Sequence, residues 1–102
     1  MTPPDRTSQQ LAALAELNHL FVDHGVSYWL FGGWAVDFHA GRVTREHADI
    51  DIAIWASSRA CVTELLRERG WRHAPDADED GYTCYARGVV RLEVARRTAP
   101  KS

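Results

Sequence analysis

The segment 49–55 changes the period of the sequence from helical to alternating. Asp49 and Asp51 are separated and followed by isoleucines at positions 50, 52 and 54. Successive side chains of a strand point to opposite faces, so the two acids share one face and the isoleucines share the other. The pattern predicts a strand with one buried face and an acidic edge.

The paired acids suggest a metal site. Two carboxylates two residues apart on a strand lie ~7 Å apart at their Cα atoms and project the same way, close enough for their oxygens to share metal ions. Their mutual repulsion is a cost without a cation, which favours a bound divalent ion. The simpler alternative is an edge strand with solvated acids, and the D-x-D pattern of Asp49 and Asp51 alone favours that alternative.

A glycine pair precedes this strand. The aromatic and apolar run 28–31 reads as a buried strand, and Gly32-Gly33 ends it and opens a helix. Backbone N–H groups and a helix N-terminus at such a turn bind anions, phosphate above all. A plain tight turn is the alternative. Together, the glycine turn and the paired-aspartate strand predict a site for a metal-bound polyphosphate.

Hydrophobic spacing gives the order of the elements. The chain is predicted to fold as an α/β (α+β) domain, a mixed β-sheet with flanking helices in the order α-β-α-β-α-β-β. The predicted elements are a helix from Thr7 or Ser8 to Gly25, a strand at 28–31, a helix at 34–39 closed by Gly41, a strand at 49–55, a helix from Ser57 or Ser58 to Gly70, and strands at 82–86 and 89–94 joined by a hairpin.

Length and charge restrict the function. The 102 residues predict a single minimal domain, residues 1–102, with an ordered core at about 7–96. A net charge of -2 argues against an extended nucleic-acid surface. The apolar stretches are too short for a bilayer, and the first residues have no apolar signal core, so no membrane partner and a cytoplasmic location are expected.

Three short stretches resemble a known family. GGWAVD at 32–37, GRVTR at 41–45 and HADID at 47–51 look like the signature of antibiotic nucleotidyltransferases, particularly the aminoglycoside 2''-adenylyltransferases and lincosamide nucleotidyltransferases. These belong to the DNA polymerase beta-like nucleotidyltransferase superfamily. The resemblance is nearly residue for residue over 32–51 and looser over 7–94. It implies the polymerase beta-like palm fold and transfer of a nucleoside monophosphate, AMP from ATP, to a hydroxyl of a small molecule such as an aminoglycoside or lincosamide.

The resemblance also implies roles for individual residues. Gly32 and Gly33 would contact the phosphates of ATP or another nucleoside triphosphate. Asp49 and Asp51 would ligate two Mg²⁺ ions. The family has a third acid between apolar residues on a later strand, and Glu93 has that context. Glu93 would hold the catalytic metal and could accept the proton of the attacking hydroxyl.

Other residues of the signature have two interpretations. Arg45 and His47 either reach phosphate or steady the aspartates, and the alternative is that they only cap the loop or face water. Trp34 is expected in the core. Asp37 is expected as a first-turn helix charge rather than a ligand. The acidic segment 76–80 is expected to be a solvated loop, although it could position a cationic substrate.

The family pattern continues well beyond the third acid, whereas nine residues follow Glu93. One expectation is that a second copy of the chain, in a homodimer, completes the cleft for the acceptor, and the alternative is that the chain is a truncated catalytic core. Two alternative functions stay open. One is a minimal nucleotidyltransferase of toxin-antitoxin type that modifies a protein or RNA, and the other is a nucleotide-binding regulatory remnant without turnover.

Overall fold

A computed structural model describes residues 5–75 and 81–98 of the chain. The helices are α1 (Arg6–Asp23), α2 (Gly32–Ala40) and α3 (Arg59–Glu68), and a 3₁₀ turn (Ala56–Ser58) precedes α3. The strands are β1 (Tyr28–Phe31), β2 (Ile50–Trp55), β3 (Arg72–His73), β4 (Tyr82–Arg87) and β5 (Val90–Arg97). The acidic segment 76–80, for which a loop was expected, lies outside the described residues.

Two predicted helix starts are wrong by two residues. The N-cap of α1 is Asp5, whose carboxylate accepts a hydrogen bond from the backbone N–H of Ser8 at 2.8 Å, so the helix begins before the predicted caps. The second helix begins at Gly32 rather than at Trp34. The glycine pair therefore forms the first turn of α2, which places two glycine N–H groups at its N-terminus.

The five strands form one mixed sheet in the order β1-β2-β5-β4-β3. Strands β2 and β5 are parallel, and the other neighbours are antiparallel. The predicted alternation of helices and strands and the β4–β5 hairpin are confirmed. The two-residue strand β3 was not predicted, because a segment this short has no measurable alternation.

The two faces of the central strands differ. The isoleucines of β2 are at most 1% exposed and belong to an apolar cluster with residues of α1, α3 and β5. The opposite face carries Asp51 and, in register beside it on β5, Glu93. The predicted division of β2 into an apolar face and an acidic face is confirmed.

Most of the buried apolar residues of the described segments form one cluster that runs from Ala13 in α1 to Val94 in β5. This core fixes the relative positions of β1, β2 and β5, whose ends carry the predicted site. Among the described helices, none is sufficiently long and apolar to cross a membrane.

Candidate active site

The site begins at the turn between β1 and α2. Gly32 has a φ of +71°, a conformation that side-chain-bearing residues rarely adopt. A Cβ atom at this position would overlap Oδ2 of Asp51, which faces Phe31 across the β1–β2 pair. The positive φ and the absence of room for a Cβ atom therefore both require glycine here. The second constraint arises because the turn lies against the Asp51 carboxylate.

The second glycine approaches a different side chain. A Cβ atom on Gly33 would overlap the imidazole of His47 at Nδ1 and would lie 3.4 Å from Nη2 of Arg45. A polar pocket of about 250 Å³ opens at this point. The residues that line this polar pocket are Gly33, Arg45, Glu46, His47, Ala48, Asp49 and Asp51. The structure thus brings five of the seven predicted site residues to one pocket, beside the N-terminus of α2.

Glu93 meets the pocket from the neighbouring strand. Asp51 and Glu93 are direct register partners on parallel strands, and their carboxyl groups are hydrogen-bonded to one another, which raises the pKa of Glu93. Burial and the charge of Asp51 raise it further. Two neighbouring carboxyl groups repel one another when both are ionised, so the pair is an arrangement that a cation would stabilise.

Asp49 is the third acid of the site. Burial raises its pKa, the charge of Glu93 raises it further, and Arg91 opposes both effects. The Nε atom of Arg91 lies 3.4 Å from Oδ1 of Asp49. Asp49 therefore has a cationic side chain beside it. Among the described residues, no cation lies within that distance of Asp51 or Glu93.

The donor set suits a hard divalent cation, because it consists of carboxylate oxygens that repel one another. Within residues 5–75 and 81–98, no three His, Cys, Asp or Glu side chains already converge as a ligand cluster. Asp51 and Glu93 are assembled, whereas Asp49 lies toward Arg91. The three acids therefore match a divalent cation in donor chemistry, and two of them, Asp51 and Glu93, already lie together.

Asp37 has a structural role that the sequence analysis did not assign. Because α2 begins at Gly32, Asp37 lies in its second turn, where it is 3% exposed. Its carboxylate accepts hydrogen bonds from the backbone N–H of Thr44 at 3.0 Å, from the Thr44 hydroxyl, and from Nε2 of His47 at 2.6 Å. The Thr44 and His47 side chains lower its pKa to about 2. The expectation that Asp37 is a first-turn charge is wrong, because Asp37 lies in the second turn and is buried.

The same network explains His47 and Trp34. His47 is 6% exposed, so it does not face water, and its backbone carbonyl accepts a hydrogen bond from Nε2 of Gln10 at 2.9 Å. Nε1 of Trp34 donates to Oε1 of Gln10 at 3.2 Å, and Trp34 is 1% exposed as expected. Helices α1 and α2 thus hold the loop that carries Arg45 and His47 against the glycine turn. A signal for Asp37 existed, because it follows Trp34 by three residues on the buried face of α2.

Comparison with known proteins now gives the family. The model of the aminoglycoside-2''-adenylyltransferase family matches residues 13–98, which include the glycine turn and all three acids. The chain belongs to this family.

Individual relatives agree with the family match. A lincosamide resistance protein of Staphylococcus haemolyticus is 43% identical over 53 residues, which are 52% of this chain and 33% of that protein. A 2''-aminoglycoside nucleotidyltransferase of Klebsiella pneumoniae is 36% identical over 70 residues, or 69% of this chain and 36% of that protein. The aligned region thus spans about a third of each of these adenylyltransferase-family relatives.

The crystal structure of ANT(2'')-Ia in complex with adenylyl-2''-tobramycin superposes with a TM-score of 0.83 at 24% identity, over 90% of this chain and 52% of that one. The likeness confirms the predicted nucleotidyltransferase fold, with its mixed sheet and flanking helices. The predicted resemblance to antibiotic nucleotidyltransferases is confirmed with it.

Proposed function

We propose that this adenylyltransferase-family domain transfers a nucleoside monophosphate, AMP from ATP, to a hydroxyl of a small molecule such as an aminoglycoside or a lincosamide. The observation that carries the proposal is the Asp51–Glu93 carboxyl pair, held on adjacent parallel strands against the Gly32 turn. Family membership supports the same reaction class.

In this proposal the phosphates occupy the polar pocket. The N–H groups of the first turn of α2 have no partner within the helix and point toward an anion at its N-terminus. Gly33 allows the phosphates a close approach to the backbone, and Arg45 supplies a positive charge beside it. His47 lies under Gly33 and is fixed by Asp37, so it holds the turn in place.

The three acids would hold two Mg²⁺ ions, with Asp49, Asp51 and Glu93 as the protein ligands. When bound, the ions would supply charge neutralisation on the α-phosphate and on the leaving pyrophosphate. Glu93 could also accept the proton of the acceptor hydroxyl.

The proposed step is an in-line displacement. The hydroxyl oxygen of the acceptor forms a bond to the α-phosphorus, and the bond from that phosphorus to the bridging oxygen of the β-phosphate breaks. Pyrophosphate leaves with the electron pair of that bond, and the hydroxyl proton passes to the Glu93 carboxylate. The protein positions the groups and stabilises charge, and it forms no covalent intermediate.

Mass spectrometry tests this directly. The purified chain is incubated with ATP, Mg²⁺ and a panel of aminoglycosides and lincosamides, and a gain of one AMP on an acceptor is expected. Glu93→Gln should still bind ATP and should lose the transfer. No adduct on any compound by the wild-type chain, although Mg-ATP binds, would contradict the small-molecule acceptor.

The homodimer that would complete the acceptor cleft stays a prediction. Sedimentation equilibrium of the 102-residue chain at several concentrations measures it, with and without Mg-ATP. Two variants that are inactive for different reasons can also be mixed. A dimer, together with recovery of transfer in the mixture, would support a cleft shared between two copies. A monomer that transfers AMP at full rate would contradict it.

A further inference from the structure

An aromatic hollow lies on the same face of the sheet as the carboxyl pair. It has a volume of about 420 Å³. The residues that line this aromatic hollow are Trp29, Phe31, Ala53, Trp55, Arg97 and Thr98. None of them belongs to the three sequence stretches that carry the family signature.

Strand register places the hollow directly beside the carboxylates. Phe31 is the partner of Asp51 across the β1–β2 pair, and Trp29 is the partner of Ala53. Side chains of alternate residues share a face, so Ala53 follows Asp51 on the open face about 7 Å further along β2. The hollow thus begins at the carboxyl pair and extends away from the polar pocket, which lies at the opposite end of β2.

The hollow presents aromatic surface to solvent. The Trp29 and Trp55 rings meet edge to face, with centroids 4.8 Å apart and an interplanar angle of 89°. Trp29 is nevertheless 44% exposed. Leaving a large apolar ring in contact with water costs free energy, so an exposed ring beside the proposed reaction centre suggests a binding surface. Ala53 between them is small and 5% exposed, so the ring surface available to a planar group that stacks on indole is that of Trp29.

One charged side chain lines the hollow. Arg97 is the one charged residue among the described residues that line it, and it is the register partner of Trp55. A guanidinium at this position can stack on a neutral heteroaromatic ring or donate hydrogen bonds to it. The aromatic lining and the guanidinium together suit a planar heteroaromatic base.

We propose that the aromatic hollow binds the nucleobase of the donor nucleotide. This inference rests on the proposed function, because it places the triphosphate in the polar pocket and the α-phosphate at the Asp51–Glu93 pair. The base then stacks against the exposed Trp29 ring, with Trp55 and Arg97 at its edge. Stacking is tolerant of base identity, so modest discrimination between ATP and GTP is expected.

Isothermal titration calorimetry separates the base from the phosphates. Mg-ATP and Mg-tripolyphosphate are titrated into the wild-type chain, Trp29→Ala and Trp29→Phe. The matched control is Phe38→Ala, which removes another exposed ring, 55% exposed, on α2 outside the hollow. Trp29→Ala should weaken Mg-ATP by roughly 5- to 50-fold and leave tripolyphosphate within about twofold. Trp29→Phe should recover much of the loss, and Phe38→Ala should bind both ligands as wild type does.

Tryptophan emission gives a second measurement. Trp34 lies beside His47 of the polar pocket, with ring centroids 4.8 Å apart, so both ligands can change its emission. Mg-ATP should change the emission of the wild-type chain more than Mg-tripolyphosphate does, and Trp29→Phe should remove most of that difference. Equal emission changes with both ligands in the wild-type chain would overturn the nucleobase subsite.

The outcomes also distinguish this inference from the proposed function. If wild type binds both ligands and Trp29→Ala binds Mg-ATP unchanged, the subsite is wrong and the phosphate site stands. If Trp29→Ala leaves Mg-ATP binding intact but lowers kcat/KM for the acceptor, the hollow holds the acceptor and the inference is overturned. If wild type binds neither ligand, the proposed function fails and the subsite fails with it.

Discussion

Asp37 and the Asp51–Glu93 pair lie on opposite sides of the Gly32-Gly33 turn, and they differ in the groups that neighbour their carboxylates. Asp37, on the helix side, accepts hydrogen bonds from Thr44 and His47 and has a pKa lowered to about 2. Asp51 and Glu93, on the sheet side, face one another, and the pKa of Glu93 is raised.

The difference separates a structural acid from ligand-binding acids. A carboxylate whose oxygens are already paired with donors of the protein stabilises the fold and has little capacity left for a ligand. Two neighbouring carboxyl groups cost stability when both ionise, and a bound cation offsets that cost. The turn thus has a fixed support on one side and a mutually repelling acidic pair on the other.

The largest effect should follow from neutralising one acid of the Asp51–Glu93 pair. Asp51→Asn should lower AMP transfer by at least about 10³-fold, because it removes a metal ligand and the negative charge beside the α-phosphate. The melting temperature of the ligand-free chain should not fall, since the repulsion with Glu93 is relieved. A coupled assay for pyrophosphate release measures the first quantity and thermal unfolding the second. A variant that transfers AMP at the wild-type rate would refute the assignment.

Neutralising the structural acid should have the opposite profile. Asp37→Asn loses charge-assisted hydrogen bonds to His47 and Thr44 in a buried site, so the melting temperature should fall by about 5 °C or more. Transfer should fall less than in Asp51→Asn when both are assayed well below their melting temperatures. An Asp37→Asn chain as stable as wild type would contradict the structural role.

A pair of glycine variants sharpens the comparison at the turn. Gly25 and Gly32 both have positive φ, but a Cβ atom at Gly25 meets nothing within 4 Å, whereas one at Gly32 overlaps Asp51. Both alanine variants should lose about 1 kcal/mol of unfolding free energy through backbone strain. Only Gly32→Ala should also lower transfer, by roughly 10- to 100-fold, because it displaces a catalytic carboxylate. Equal activities of the two variants would argue against a close contact between the Gly32 turn and the Asp51 carboxylate.

The smallest effect is a difference in pH dependence, measured by urea unfolding in metal-free buffer. The pKa of Asp37 is lower in the folded chain than in the unfolded one, so its contribution is present above about pH 4 and is lost as the pH falls through about 2. The raised pKa of Glu93 has the opposite sign, because its protonation as the pH falls stabilises the folded state.

Variants assign these two slopes. Asp37→Asn should flatten the loss of stability below pH 4. Glu93→Gln should remove the gain in stability that protonation of Glu93 gives at higher pH, as the pH falls. If Asp37→Asn keeps the full acid loss, another group is responsible and the low pKa of Asp37 is not the cause.

The sequence predicted the elements that depend on short-range pattern. The isoleucines of β2 gave its buried face, and the glycine pair gave the turn. Helix starts were displaced because Asp5 caps α1 ahead of the predicted caps and because α2 begins at Gly32, whose positive φ only glycine adopts readily. The family resemblance over 32–51, rather than periodicity, supplied Glu93 as the third acid.

The interactions that were missed join positions far apart in the chain. The contact of Gln10 with the His47 carbonyl spans 37 residues, and no local pattern encodes it. The aromatic hollow depends on the register of β1 against β2 and of β2 against β5, which brings Trp29, Ala53 and Arg97 together. Pairings of this kind follow from strand order, and strand order is not written in any one segment.

The most direct test of the account is the effect of Mg-ATP on thermal unfolding of wild type and Asp51→Asn. Binding to the folded state alone raises the melting temperature, so the wild-type chain should show an upward shift that EDTA abolishes. Asp51→Asn should start at an equal or higher temperature and show little or no shift. A full Mg-ATP shift in Asp51→Asn would contradict the claim that the Asp51–Glu93 pair is the metal and nucleotide site.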